Sequence, residues 1–345
     1  MSTDHALSDT AAFTEEDIRP AELMDRQRVA VLVDLGRLLS RRDEFVEVDC
    51  PACASPDGAL SLSKNGLQYE TCAQCATMYM NPRPSSDVLD WFYQGSVNYA
   101  YWNDVIFPAS EDSRRVRIFQ PRVDKVLELC RTYGVETGAL MDVGAGYGTF
   151  CAEVVSRGVF DRVVAVEPTP SLAETCRRRG IETVERPIEQ VEIGEGGGFD
   201  VIANFEVIEH LFNPRAFVAE MARLLRPGGL LVLTCPNGQG FDVATLGAAS
   251  LTVDHEHLNY FNPDSIGRLL SESGLTVLGR FTPGRLDADL VRTQALAGDL
   301  DLSGQPFLRR VIIDEWDRLG GPFQAFLVEH GLSSNLWAVA QKPAG

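Results

Sequence analysis

The chain has 345 residues, 45% of them hydrophobic and 23% charged. This is an ordinary globular composition, long enough for one large domain or a medium domain with attachments. Lys and Arg number 31 against 49 Asp and Glu, a net charge of −18, which repels phosphate backbones and argues against nucleic acid as a partner. No stretch approaches the roughly 18 apolar residues of a membrane span, and the acidic start MSTDHALSDTAAFTEED lacks the basic-then-apolar pattern of a signal peptide. A cytoplasmic protein without a membrane contact is expected.

The first dozen or so residues are polar enough to stay disordered. Apolar residues at helical spacing (Met24, Val31, Leu32, Leu35, Leu38, Leu39) then predict a helix over 21–39, so 1–45 forms a leading segment. Residues 46–82 hold two C-x-x-C pairs, Cys50/Cys53 and Cys72/Cys75, with eighteen residues between them. Two such knuckles can turn four sulfurs onto one point, which predicts a structural four-cysteine zinc site with no open coordination position. Two disulfides are the alternative, and an intracellular chain disfavours them. Turn signals at Asp57-Gly58 and Asn65-Gly66 suggest short strands between the knuckles, as in a zinc ribbon. Cys130, Cys151, Cys176 and Cys235 sit among apolar neighbours and read as core residues.

Asn81-Pro-Arg-Pro marks a boundary. From 83 to 130 the chain is aromatic-rich and helical (Trp91, Phe92, Tyr93, Tyr99, Tyr101, Trp102, Phe107). Packing explains most of these rings. A lid over a cofactor is the sharper reading, and it makes Tyr101 a candidate cofactor contact. The basic run Arg114, Arg115, Arg117, Arg122, Lys125 reads as a solvated helix face, with contact to a small anionic substrate as the alternative.

From 131 to 345 the pattern alternates. Strands are predicted at 139–143, 163–166, 181–184, 201–204, 230–234 and 276–281, with a final antiparallel one at 336–340. Helices between them include one capped by Asn213 with Pro214 at its first position and one running from Asn262-Pro263 to Gly274. An amphipathic helix is expected as an insertion at about 305–330. The fold class is α/β, a doubly wound, mostly parallel seven-stranded sheet with a small N-terminal zinc ribbon.

The first strand runs into Asp142-Val-Gly144-Ala-Gly146-Tyr-Gly148. A dinucleotide fingerprint would need glycine where Thr149 stands, and no P-loop lysine follows. S-adenosylmethionine, with a sulfonium, an ammonium and a ribose but no phosphate, suits the loop better. Asp142 places negative charge near its cationic end, and Glu167, ending the second strand, can accept both ribose hydroxyls.

With these features the sequence resembles the class I S-adenosylmethionine-dependent methyltransferases over about 120–282. Asn204-Phe-Glu206-Val-Ile-Glu209-His210 is similar to that superfamily's fourth-strand segment, and Leu225-Arg-Pro-Gly-Gly to its turn before the fifth strand. The resemblance implies that Gly144, Gly146 and Gly148 wrap the cofactor, that Glu167 binds ribose, and that Asn204 and Glu206 border the same site. The acidic residue often found near adenine falls on Pro187, which leaves the Ile188 amide and Glu189 as adenine contacts.

After the fifth strand comes Asp254-His255-Glu256-His257-Leu-Asn-Tyr260-Phe. A four-cysteine ribbon ahead of such a core, followed by E-H-x-x-Y-F, resembles the deoxysugar C-methyltransferases and their relatives in carbohydrate and natural-product pathways. That resemblance assigns the general base to His257, with Glu256 beside it. The chain departs from the group at Asp254, where a tyrosine is usual, and is too short for the group's large C-terminal domain. Histidine is the usual base near neutral pH for a nucleophile that must lose a proton. His255 and His210 are further candidates for the substrate wall. A metal at these histidines is not expected, because no third ligand is evident in the neighbouring sequence. Asp287 and Asp289 are either substrate contacts or a solvated loop. The expected function is methyl transfer to oxygen or carbon of a small, possibly anionic or sugar-like molecule. An RNA methyltransferase gripping nucleic acid with the ribbon, and a non-catalytic S-adenosylmethionine-binding protein, are the alternatives.

Overall fold

A computed structural model describes residues 18–192 and 197–344; the disordered start expected before residue 18 lies outside the described residues. The centre is a seven-stranded sheet of β1 (Ala139–Val143), β2 (Arg162–Val166), β3 (Glu182–Val184), β4 (Phe199–Phe205), β5 (Leu225–Pro236), β6 (Thr276–Phe281) and β7 (Asn335–Gln341). Its spatial order is β6-β7-β5-β4-β1-β2-β3. β1 to β5 run parallel, and β7 is antiparallel to both β5 and β6. The order reverses beside β1, and in sheets of this kind that switch point opens the ligand crevice at the carboxyl ends of the strands.

The central strands are buried on both faces, as their near-continuous apolar runs require. Alternate residues feed opposite layers. Met141 and Val143 of β1 join Ile202 of β4 and Leu231 and Leu233 of β5 on one face. Leu140, Val201, Ala203, Leu230 and Val232 pack on the other. The helix Pro214–Leu224 starts at Asn213, whose side chain accepts from the Ala216 amide, and Pro263–Glu272 starts with a capping box between Asn262 and Ser265.

The cysteine-rich segment forms an antiparallel sheet of Gly58–Lys64, Leu67–Cys72 and Met78–Met80. Asn65 and Gly66 both take positive φ (52° and 82°) at its hairpin, the geometry an Asn-Gly turn favours. Its fourth strand comes from far along the chain: Asn259–Tyr260 pairs with Met78–Tyr79. The ribbon and the loop after β5 therefore share one sheet. Arg83, in the stretch that reads as a boundary, is fully buried and donates to the carbonyls of Met80, Phe212 and Leu258, so that stretch clasps the two parts together.

Residues 97–133 run as one helical rod with π-helical turns at Trp102–Ile106 and Arg115–Phe119. The amphipathic stretch after 305 is not one helix. It breaks at Glu315 (φ −122°, ψ 33°) between Pro306–Asp314 and Trp316–Glu329. Asp287 opens a helix, Asp287–Ala297, and is buried, bound by Ser333, Ser334 and Gln324. It is thus a structural knot rather than part of a solvated loop, and it borders the cavity described next. Asp289 lines the same cavity.

Candidate active site

A cavity of about 3250 Å³ opens at the carboxyl ends of the strands. It exceeds the roughly 300–1,000 Å³ of a single small-ligand pocket, so two ligands fit side by side. One wall is the glycine loop. Gly144, Gly146 and Gly148 all have positive φ (78°, 53° and 70°), a backbone that side chains rarely adopt. A Cβ on Gly144 would stand 2.5 Å from Val207 Cγ2, and one on Gly148 2.8 Å from Cys176 Sγ. One on Gly146 would meet no protein atom within 4 Å, so the backbone there is bare toward the cavity.

Glu167 faces this loop. Its Oε2 accepts from the Gly146 amide at 2.8 Å and its Oε1 from the Thr169 amide at 2.9 Å, leaving one further acceptor site on each oxygen. Burial raises its pKa against those two bonds. Asp142 is buried at the end of β1, and burial pushes its carboxyl up to about 7. The isolated cysteines are core residues, and Cys151 and Cys176 also contact this loop, at Asp142 Oδ2 and the Gly146 carbonyl. Ile188 buries its side chain while bordering the cavity, and the exposed Glu189 lies beside it.

Two of the expected cofactor contacts are placed differently. Asn204 is fully buried and does not line the cavity; its Nδ2 donates to the Val143 carbonyl at 2.8 Å and ties β4 to the start of the glycine loop. Tyr101 also lies outside the lining, its hydroxyl turned to the Leu23 carbonyl, because the helix rotates it away while Tyr99 and Trp102 face inward. Glu206 does line the cavity, but its Oε1 is engaged by Arg122, Thr234 and Asn335. The basic run is no uniform solvated face: Arg114, Arg117, Arg122 and Lys125 line the cavity, whereas Arg115 pairs with Glu153.

The opposite wall is the loop after β5. Asp254 Oδ1 accepts from the Glu256 and His257 amides at 2.8 and 2.9 Å. Its Oδ2 lies 3.5 Å from His257 Nδ1. Burial alone would raise the Asp254 pKa, but His257, His255 and the His257 amide hold it below the ordinary carboxylate range. His257 Nδ1 is 2.8 Å from the Thr252 carbonyl. A carbonyl only accepts, so Nδ1 carries the hydrogen and Nε2 holds the lone pair. Burial lowers the His257 pKa, yet Asp254 and Glu209 outweigh it and the net shift is upward.

Glu256 does not orient His257. Its Oε1 accepts from Asn98 Nδ2 at 2.7 Å and lies 3.8 Å from His255 Nε2; burial, then Asp254, pushes its carboxyl up to about 7. Asn98 is held in turn by the buried Asp34 of the helix Ala21–Leu39. His255 is buried edge-on to Phe92, its pKa lowered mainly by burial.

His210 stacks edge-on to His257 at 4.7 Å, with Nδ1 3.0 Å from the Glu256 carbonyl. Burial, then His257, pushes its pKa down to about 3. Glu209 beside it is almost fully buried, and burial, then Glu206, pushes its carboxyl up to about 8. Sequence reading missed Glu209 and Asn98, which meet residues from elsewhere in the chain, and Asp254, whose i, i+2 and i, i+3 spacing to Glu256 and His257 was the one legible signal of a capped turn.

At the ribbon, the four cysteines are free thiols with sulfurs within 4.8 Å of one another. Cys50–Cys75 and Cys53–Cys72 stand at 3.5 and 3.6 Å. Thiolates about 2.3 Å from a tetrahedral zinc lie about 3.8 Å apart, so the cradle fits. The knuckles repeat each other: Ala54 and Ala76 each take φ 55°, and their amides donate to the Cys50 and Cys72 carbonyls.

Residues 114–279 match the family model described as a methyltransferase domain. A ubiquinone biosynthesis O-methyltransferase of Maricaulis maris is 29% identical over 155 residues, 40% of this chain and 59% of that protein. That of Agrobacterium fabrum is 28% identical over 159 residues, 41% and 60%. The match thus spans about three fifths of those relatives' own length. Among solved structures, an S-adenosylmethionine-dependent methyltransferase of Clostridium acetobutylicum aligns at 11% identity, TM-score 0.44, over 71% of this chain and 97% of the other. An amino pentose methyltransferase of Micromonospora echinaspora with S-adenosylmethionine bound aligns at 26% identity, TM-score 0.33, over 37% and 55%. The sheet order is that of the class I methyltransferase fold, and residues 114–279 of this chain match a methyltransferase domain.

Proposed function

We propose that the chain transfers a methyl group from S-adenosylmethionine to oxygen or carbon of a small molecule. The observation that carries this is the facing of two walls across one cavity: the glycine loop with Glu167 on one side, His257 and His210 on the other. When bound, S-adenosylmethionine supplies an activated methyl carbon, and the protein's task is mainly to align the nucleophile with it. The bare backbone at Gly146 lets the cofactor approach, Glu167 accepts the ribose hydroxyls with its remaining lone pairs, and Ile188 and Glu189 border the adenine. His257 Nε2 removes the proton of the nucleophile, while Asp254 and the Thr252 carbonyl fix its ring. The similarity to ubiquinone biosynthesis O-methyltransferases favours an oxygen acceptor. The E-H-x-x-Y-F segment with the ribbon favours a sugar-like one, and the cavity-lining arginines suit an anionic group on it. The four cysteines hold a structural zinc. The test is calorimetry with S-adenosylhomocysteine, followed by transfer of labelled methyl to a panel of nucleotide sugars and polyphenols. Tight binding with turnover of one class supports the reading; binding of NAD in preference to S-adenosylhomocysteine overturns it.

A further inference from the structure

The cysteine cradle is closed, with four protein ligands. A second cluster has a different character. A carboxylate oxygen of Glu209 and one ring nitrogen each of His210 and His257 lie within 4.8 Å of one another. These residues come from two separate stretches, one after β4 and one after β5, joined where the Leu258 amide and Asn259 Nδ2 donate to the Glu209 carbonyl.

Three features of this cluster point to a cation. Both imidazoles have Nδ1 against a backbone carbonyl, Glu256 for His210 at 3.0 Å and Thr252 for His257 at 2.8 Å. This is the outer-sphere bond that metal-binding histidines use to fix the ring and leave Nε2 as the donor. Second, Glu209 is 1% exposed and its Oε2 has no hydrogen-bond partner among the described residues. A buried carboxylate in that state is costly unless a positive charge joins it. Third, no lysine or arginine pairs with Glu209 among the hydrogen bonds and ion pairs of the described residues; the neutral His210 ring has Nε2 3.9 Å from its Oε1.

We propose that Glu209, His210 and His257 bind a divalent cation at the substrate wall. Two imidazoles and one carboxylate are a donor set for Mn²⁺, Fe²⁺, Co²⁺ or Zn²⁺, and three protein ligands leave positions open for substrate. Donors about 2.1 Å from such a cation in tetrahedral geometry stand about 3.4 Å apart, so the side chains draw somewhat closer on binding. The inference keeps the methyl transfer proposed above and changes its proton step. The acceptor hydroxyl binds the open position and its O–H bond breaks, the proton passing to water. The oxygen lone pair then forms the bond to the methyl carbon as the carbon–sulfur bond breaks, leaving a neutral thioether. His257 Nε2 is then a ligand rather than the base.

The test uses the full chain purified with its cysteine site loaded. Mn²⁺ is titrated in by calorimetry and followed by its electron paramagnetic resonance signal, since it prefers nitrogen and oxygen donors to thiolates. The expected result is one Mn²⁺ per chain, weakened at least tenfold in both Glu209→Gln and His210→Ala. S-adenosylhomocysteine affinity should stay unchanged in those variants, which also verifies that they fold. Absence of Mn²⁺ uptake by the wild-type chain, or equal uptake by both variants, overturns the site. Methyl transfer that persists undiminished in chelator overturns the cation's role while leaving the base reading standing. Mn²⁺ binding without S-adenosylhomocysteine binding upholds the site and sinks the proposed function.

Discussion

The hydroxyl of Tyr69, on a ribbon strand between the two cysteine knuckles, donates to the carbonyl oxygen of Asp254 at 2.7 Å. Asp254 caps the turn that carries His257. The ribbon therefore frames the active-site loop as well as packing on the core. Further bonds run the same way: Lys64 Nζ to the Ser250 carbonyl, Asn262 Nδ2 to the Cys75 carbonyl, and Met80 amide to the Leu258 carbonyl. Tyr69→Phe should cost about 1–2 kcal/mol of stability, the penalty for a buried acceptor losing its donor. Turnover should fall severalfold with S-adenosylhomocysteine affinity unchanged, because the cofactor wall does not touch Tyr69. Calorimetry beside a turnover assay separates the two effects, and equal losses in both would show general unfolding instead.

Freshly purified, reduced protein should hold one zinc per chain at Cys50, Cys53, Cys72 and Cys75, measured by elemental analysis. Cys72→Ser should lower zinc content and also turnover, since metal binding supplies folding energy to a ribbon of this kind and the ribbon supplies a strand to the active-site loop. Wild-type turnover in a zinc-free Cys72→Ser protein would break the link between ribbon and loop.

Glu167→Ala should weaken S-adenosylhomocysteine by about 5- to 150-fold, equivalent to about 1–3 kcal/mol for the lost hydroxyl contacts. The same substitution frees the amides of Gly146 and Thr169. Some of the loss should therefore appear as a lower melting temperature without ligand, read by differential scanning fluorimetry.

Gly144→Ala and Gly146→Ala make a matched pair. Both impose positive φ on a side chain, at a cost of about 1–2 kcal/mol. Only Gly144→Ala also drives a methyl into Val207, so it should be the less stable of the two in urea unfolding. Gly146→Ala should lose S-adenosylhomocysteine affinity out of proportion to its stability, because the space above it is open to the cavity. Unchanged affinity in Gly146→Ala would place the cofactor elsewhere.

His257→Ala should lower turnover by about 10²- to 10⁴-fold, whether the group acts as a base or as a ligand. Cofactor affinity should hold. His255→Ala should act mainly on stability, because that ring is buried against Phe92 and lies beside Glu256 rather than beside His210. Equal turnover losses in the two variants would refute the separation of roles drawn here.

Strand and helix positions were legible because periodicity and caps are local. The helix Ala21–Leu39, the strand Thr276–Phe281 and the caps Asn213 and Asn262 stand where their residues predict. The cysteine pairs were legible for the same reason, since a knuckle is built from four consecutive residues. The helix expected over 305–330 was misread because apolar spacing does not register the break at Glu315.

The sequence by itself determined the layered α/β fold, the glycine loop with Glu167, and the four-cysteine cradle. Each rests on spacing within one turn or on strand alternation, and neither needs a distant partner. Only the tertiary structure decided that Glu256 bonds to Asn98 rather than serving His257, that Tyr99 rather than Tyr101 faces the cavity, and that Glu209 stands beside His210 and His257. Those choices depend on which segments the sheet brings together at the carboxyl ends of β4 and β5, and a side chain's partners across such a crossing leave no mark in its own neighbourhood of the sequence.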